Sequence, residues 1–203
     1  MKLNETMKKR FRSITLVGVV LLLAGLLAAQ SPAPAQELAL QMDPARSGAE
    51  ITLPATMHTV HGTFAAKRGT IHFDPASGKA DGEIVFDAVS GDTGNSSRDH
   101  KMHHDVLESQ RYPEIIFRPD HAEGVFTASG TSTLQVHGQF GIHGAEHEIT
   151  IPVEVSFAGN AWTSKASFQV PYAKWGMKNP STLFLRVPDS VTVQIHAAGS
   201  AAP

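Results

Sequence analysis

Beyond Gln36, apolar and polar residues alternate with a period of two in one segment after another, as in strands with one buried face. Leu38, Leu40 and Met42 alternate ahead of an Asp43-Pro44 turn, and Ile51 and Leu53 ahead of Pro54. Gly69-Thr70-Ile71-His72-Phe73 runs into the turn Asp74-Pro75-Ala76-Ser77-Gly78, and Ile84 and Phe86 then share a face with Val85 opposite. Ile115 and Phe117 alternate in a strand predicted to stop at Pro119; a hairpin is expected at His121–Gly124, with Val125-Phe126 opening the next strand. Leu134, Val136, Phe140 and Ile142 share one parity, and Ile149, Ile151, Val153, Val155 and Phe157 form the cleanest run. Phe168 and Val170 follow a Gly159-Asn160 turn, residues 174–189 read as irregular, and Val191, Val193 and Ile195 make the last strand.

Strands at this spacing predict an all-β sandwich or barrel rather than βαβ units. One segment breaks the period. Ser96-Ser97-Arg98-Asp99 reads as a capping box, with Ser96 as the cap, opening a helix of about three turns near residues 97–108. Tyr112-Pro113 prevents its continuation.

A closed barrel is either filled by its own side chains or hollow enough for one small ligand. Nine of the ten phenylalanines (Phe64, Phe73, Phe86, Phe117, Phe126, Phe140, Phe157, Phe168 and Phe184) follow the N-terminal segment, about one per strand. They fill a core or line a tunnel, and periodicity does not separate these two readings. Parity selects Phe64, Ile71, Phe73, Ile84, Phe86, Ile115, Phe117, Leu134, Val136, Phe140, Ile151, Val153 and Phe168 as candidate pore positions. A hydrocarbon in such a pore would gain roughly 0.8 kcal/mol per buried methylene without any ionic or catalytic group.

The first 35 residues follow another logic. Lys8, Lys9, Arg10 and Arg12 precede the uncharged run Ile14–Ala29, and Ala33-Pro34-Ala35 supplies a small-residue cleavage site, as in a secretory signal peptide. Cleavage before Gln36 or nearer Ala29 leaves one domain over residues 36–200 in a periplasmic or secreted chain, with no transmembrane segment remaining. Five of the 17 Lys and Arg but only one of the 19 Asp and Glu precede Ser13, so the chain beyond residue 35 has 12 basic against 18 acidic groups. That acidic body, with no Lys/Arg cluster, argues against nucleic acid as a partner. Zero cysteines exclude a disulfide scaffold, Cys-ligated zinc and a thiol nucleophile.

Eleven histidines raise the question of metal. On a helix His100 meets His104 at i,i+4 and His103 at i,i+3, a spacing that can chelate a divalent cation, and periplasmic metal binding through this trio is the alternative reading. Without a third defined ligand the more ordinary reading is a solvated helix face, Met102 and Val106 facing the other way, although helical spacing puts Leu107 among the histidines. His58, His61 and His72 read as strand histidines. Asp92, Asp99 and Asp105 could serve acid–base chemistry beside these histidines, but carboxylates at a helix start more often cap it. Asn95-Ser96-Ser97 matches a glycosylation sequon, a short pattern that recurs by chance. No nucleophile elbow, zincin, phosphate-loop or dinucleotide signature occurs, and no catalytic residue is assigned.

Ser90-Gly91-Asp92-Thr93-Gly94-Asn95-Ser96-Ser97-Arg98-Asp99, continued by Met102 and Tyr112-Pro113, resembles the YceI-like family of periplasmic lipid-binding proteins. So do Val60-x-Gly62-x-Phe64, Gly69-x-Ile71-x-Phe73-Asp74-Pro75, and Gly138-x-Phe140-x-Ile142-His143-Gly144 followed by Ile151-Pro152-Val153. The resemblance spans roughly Leu38 to Gly199. It implies an extended lipocalin-like antiparallel β-barrel that holds a polyisoprenoid or other long amphiphile, with no enzymatic activity and no cofactor beyond a bound isoprenoid or fatty-acyl lipid. The oligomeric state is left open, a homodimer included. Where many members of the family carry His-Leu-Arg-Ser and paired phenylalanines, this chain has Lys101-Met102-His103-His104 and Val106-Leu107-Glu108, and it reaches Tyr112 one residue sooner. The ligand is expected to differ accordingly, since this helix would gate one end of the pore.

Overall fold

Among the described residues the alternating segments pair as nine antiparallel strands: β1 (Leu38–Met42), β2 (Gly48–Pro54), β3 (Thr59–Phe73), β4 (Ala80–Asp87), β5 (Glu114–Glu123), β6 (Gly130–Ile142), β7 (Ala145–Ala158), β8 (Ala161–Val170) and β9 (Val191–Ala202). The computed structural model describes residues 37–202 except Met57, Phe184 and Leu185. The predicted signal peptide and Phe184 lie outside the described residues.

Nine strands fill eight places in a ring. β3 through β9 pair in sequence, and β2 and β1 both pair with β3 on one side and β9 on the other. β1 and β2 are thus one ring position, interrupted by a 3-10 turn at Pro44–Arg46. The turn is stitched at both ends. Asp43 Oδ1 accepts from the Ala45 amide at 3.0 Å, and Ser47 Oγ donates to the Asp43 carbonyl at 2.7 Å while accepting from the Ala198 amide at 3.1 Å. Closure leaves no free sheet edge around the ring. The antiparallel barrel expected from the resemblance is the observed fold, and its alternative, a two-sheet sandwich, is excluded by the continuous pairing.

Two bulges explain parities that cannot share one regular strand. Phe64 and Phe73 both point inward although nine residues apart on β3, because the register shifts between Ala66 and Arg68. The shift also turns Lys67 and Arg68 outward together, and both grip Glu114 of β5, at 2.9 and 2.8 Å. β5 does not stop at Pro119, as its sequence suggested. Pro119 pairs opposite Gly138, beside a bulge at Pro119/His121 and beyond the end of the β4–β5 ladder, where its missing N–H costs no ladder bond. β5 continues to Glu123, so Val125 and Phe126 belong to the following loop rather than to a strand. A tight turn at His143-Gly144 joins β6 to β7, both residues having positive φ (52° and 75°).

Inward side chains divide into two clusters along the barrel axis. One holds Phe64, Phe86, Phe140, Ile151, Phe168 and Val193. The other holds Met42, Phe73, Leu134, Val155, Phe157 and Trp162. The second cluster is solid: Phe126 folds in from its loop to meet Phe73 and Phe157 edge-on, at 5.4 and 5.5 Å between ring centroids. Trp162 completes this packing and donates its indole N–H to the Ser200 carbonyl at 3.1 Å.

A candidate ligand pore and its mouth

The half of the barrel holding the first cluster is hollow. A cavity of about 390 Å³ lies there, within the range of small-molecule sites. Strand positions supply most of its wall: Ala49, Ile51 and Leu53 from β2, Val60 and Phe64 from β3, Phe86, Ile115, Phe140 and Ile142 further round, and Val193 and Ile195 from β9. Tyr172 and Met177, from the irregular segment after β8, add to it. Burial and, secondarily, Asp189 push the Tyr172 hydroxyl up to about 12, and it donates to the Pro188 carbonyl at 2.6 Å, which fixes the segment across the opening.

The capped helix forms the other side of the mouth, with local geometry that differs from expectation. α1 covers Ser96–Lys101 and passes directly into a π-helical turn, Met102–Val106. Its cap is Asn95, not Ser96: Asn95 Oδ1 accepts from the Arg98 amide at 3.0 Å. Asp99 reaches back instead to Thr93, accepting from its amide at 2.9 Å and its hydroxyl at 2.5 Å. Burial opposes the charge on Asp99, but these bonds and the nearby Arg98 prevail and hold its pKa below the ordinary carboxylate value. In the π turn the Leu107 amide donates to the Met102 carbonyl at 2.8 Å, a five-residue closure. The wider turn brings Leu107, which helical spacing grouped with the histidines, onto the cavity wall with Met102 and Val106.

The thirteen candidate pore positions separate by depth. Phe64, Phe86, Ile115 and Phe140 line the cavity. Ile151 and Phe168 are buried in the surrounding cluster, with Phe117 and Val153 packed against it, and Ile84 touches both clusters. Phe73 and Leu134 belong to the solid end, with Val136 against it. Ile71, half-buried opposite Leu40, is in neither. Parity identifies the inner face but not how far along the axis the face is hollow. The contributions of Tyr172 and Met177 had no periodic signal at all, and helical spacing put Leu107 on the opposite face.

The histidine trio does not form a metal site. His103 is committed to structure: Nδ1 bonds the Ser109 hydroxyl at 2.8 Å and Nε2 the Gly91 carbonyl at 2.9 Å. His100 and His104 stack at 4.3 Å between centroids without a further ligand. Among the described residues no group of three or more His, Asp or Glu side chains is placed to hold a metal ion. This corrects the metal reading: His103 tethers the helix to the strand-end loop and has no ring nitrogen left for a cation. No helix among the described residues is long and apolar enough to cross a membrane.

Comparison with known proteins agrees with this architecture. The structure is similar to BcnA of Burkholderia cenocepacia (TM-score 0.65, 19% identity, covering 78% of this chain and 99% of that one). It is also similar to a polyisoprenoid binding domain of Saccharophagus degradans implicated in plant cell wall breakdown (TM-score 0.62, 15% identity, 81% and 99% covered). The YCEI protein of Campylobacter jejuni follows, at TM-score 0.57 and 18% identity over 71% of this chain and 86% of that one. No curated protein gives a significant sequence match. The family model described as the YceI-like domain matches residues 40–198, and the chain belongs to that family.

Proposed function

We propose that this protein binds a single long amphiphile, an isoprenoid or fatty-acyl lipid, with its hydrocarbon tail inside the barrel, and that it does so in the periplasm or after secretion. The observation that carries this reading is the cavity of about 390 Å³, walled by aliphatic and aromatic side chains and enclosed by a continuous sheet. An unfilled apolar space of this size costs packing energy that a solid core would recover, and a tail restores the missing contacts. At roughly 0.8 kcal/mol per buried methylene, ten methylenes contribute about 8 kcal/mol before the cost of ordering the chain, enough for tight binding without a reaction. The Saccharophagus degradans domain, described as polyisoprenoid binding, supports the same class of ligand. The signal-peptide pattern and the absence of cysteine support the compartment.

Organic extraction of protein purified from its native compartment, followed by mass spectrometry, should yield one dominant lipid near equimolar amount. Protein that carries no lipid and fails to bind Nile red after delipidation would overturn the proposal.

A further inference from the structure

The mouth differs from the wall in its charge. Arg98 and Lys101, three residues apart on α1, both border the cavity, and among the described residues no aspartate or glutamate does. Arg98 is held in place: Nε donates to the Thr93 hydroxyl and Nη2 to the Thr93 carbonyl, each at 2.8 Å. Nη1 keeps its donors without a partner among the described residues. The acids of this region have partners of their own, and of them Asp99 also stands near Arg98, sharing the Thr93 hydroxyl with it. Asp99 accepts twice from Thr93, Asp92 accepts from the Gly94 amide at 2.7 Å, and Asp105 faces Lys178 at 3.9 Å. Lys101 forms no ion pair among the described residues.

We infer that Arg98 and Lys101 hold the anionic head group, a carboxylate or a phosphate monoester, of the amphiphile whose tail occupies the cavity. The inference rests on the lipid-binding reading and adds what that reading lacks, a basis for choosing among tails of equal length. Hydrocarbon burial is indifferent to the head, whereas a guanidinium fixed at the rim of an apolar space favours an anion through charge-assisted bonds that an amide or alcohol cannot match. The planar fork of Arg98 suits two oxygens at once, and the longer Lys101 stem supplies a second positive charge from the same helical face.

The test is competition against Nile red on the delipidated full chain at low salt, using palmitate, hexadecyl phosphate, palmitamide and hexadecanol. Palmitate or hexadecyl phosphate should bind about tenfold or more tightly than the two neutral heads. The stronger of the two anions identifies the source, a free fatty acid or a lipid phosphate. Lys101→Gln should shrink that gap several-fold, with its melting temperature recorded as a folding control, while Lys165→Gln on the outer face of β8 should leave it intact. Equal affinity for all four heads, or a gap unchanged in Lys101→Gln, would overturn the head-group inference and leave the lipid-binding reading standing. Failure of Nile red and every amphiphile to bind would instead remove the lipid reading itself.

Discussion

Glu114 concentrates the acid sensitivity of the outer surface. Hydrogen bonds from Arg68 and then Lys67 draw its pKa from 4.5 to about 2, against a smaller opposing effect of burial. A lowered folded-state pKa stabilises the protein above pH 4.5, and that contribution is lost as pH falls toward about 2. Urea unfolding at a series of pH values should therefore show a falling limb in this window that is shallower in Glu114→Gln. His147 responds near neutrality. Its ring lies flat on Trp175, centroids 4.2 Å apart and planes within 4°, and its Nε2 is buried without a partner. Burial pushes its pKa below 6.5, with Glu146 opposing the shift. The unfolded chain then takes up the proton first, so this contribution to stability is full above pH 6.5 and declines as pH falls below it. In a Trp162→Phe background, Trp175 fluorescence should report a transition centred below pH 6.5 that His147→Gln abolishes; a midpoint above 6.5 would contradict the buried stack.

The segment α1 with its π turn is the element that most depends on one side chain. His103 ties it to Gly91 on one side and to Ser109, 1% exposed, on the other. His103→Ala leaves both partners unsatisfied, so unfolding free energy should fall by about 1–3 kcal/mol. Hydrogen exchange should accelerate over residues 96–109 more than in the strands. Equal change throughout would show that the tether is not local. This element also marks where legibility in the sequence ends. The strands were readable because a period of two survives in Ile149–Phe157 and Leu134–Ile142 whatever the tertiary context. The two bulges were not, since Ala66–Arg68 and Pro119–His121 carry no residue signature that distinguishes a slipped register from a strand end. Helical spacing placed Leu107 among histidines because it assumes 3.6 residues per turn, which the π turn does not obey. Tyr172 and Met177 reach the cavity from an irregular segment whose hydrogen bonds, Tyr172 to the Pro188 carbonyl and Asn179 to the Val187 carbonyl among them, follow no repeating period, so spacing along the chain gave them no signal.

At the scale of the whole molecule, the division of the interior separates stability from binding. Phe73, Phe126, Phe157 and Trp162 hold one end together, and the lined space occupies the other. Bulk added to the lumen should consequently cost binding more than folding. Ala49→Trp, on the wall and 7% exposed, should lower Nile red affinity about tenfold or more while changing unfolding free energy by only about 1 kcal/mol, read by titration and denaturant melts on the same sample. A large loss of stability with binding retained would mean the space collapses rather than accepts an occupant. The plug of aromatic rings has a kinetic corollary. For the proposed occupant the barrel is a cul-de-sac, so an arriving molecule cannot displace a resident one from behind, and the two must use the same doorway in turn. Departure should then proceed at a rate independent of how many acceptor vesicles or competing molecules wait outside, and stopped-flow release that speeds up in proportion to acceptor would reveal a second exit.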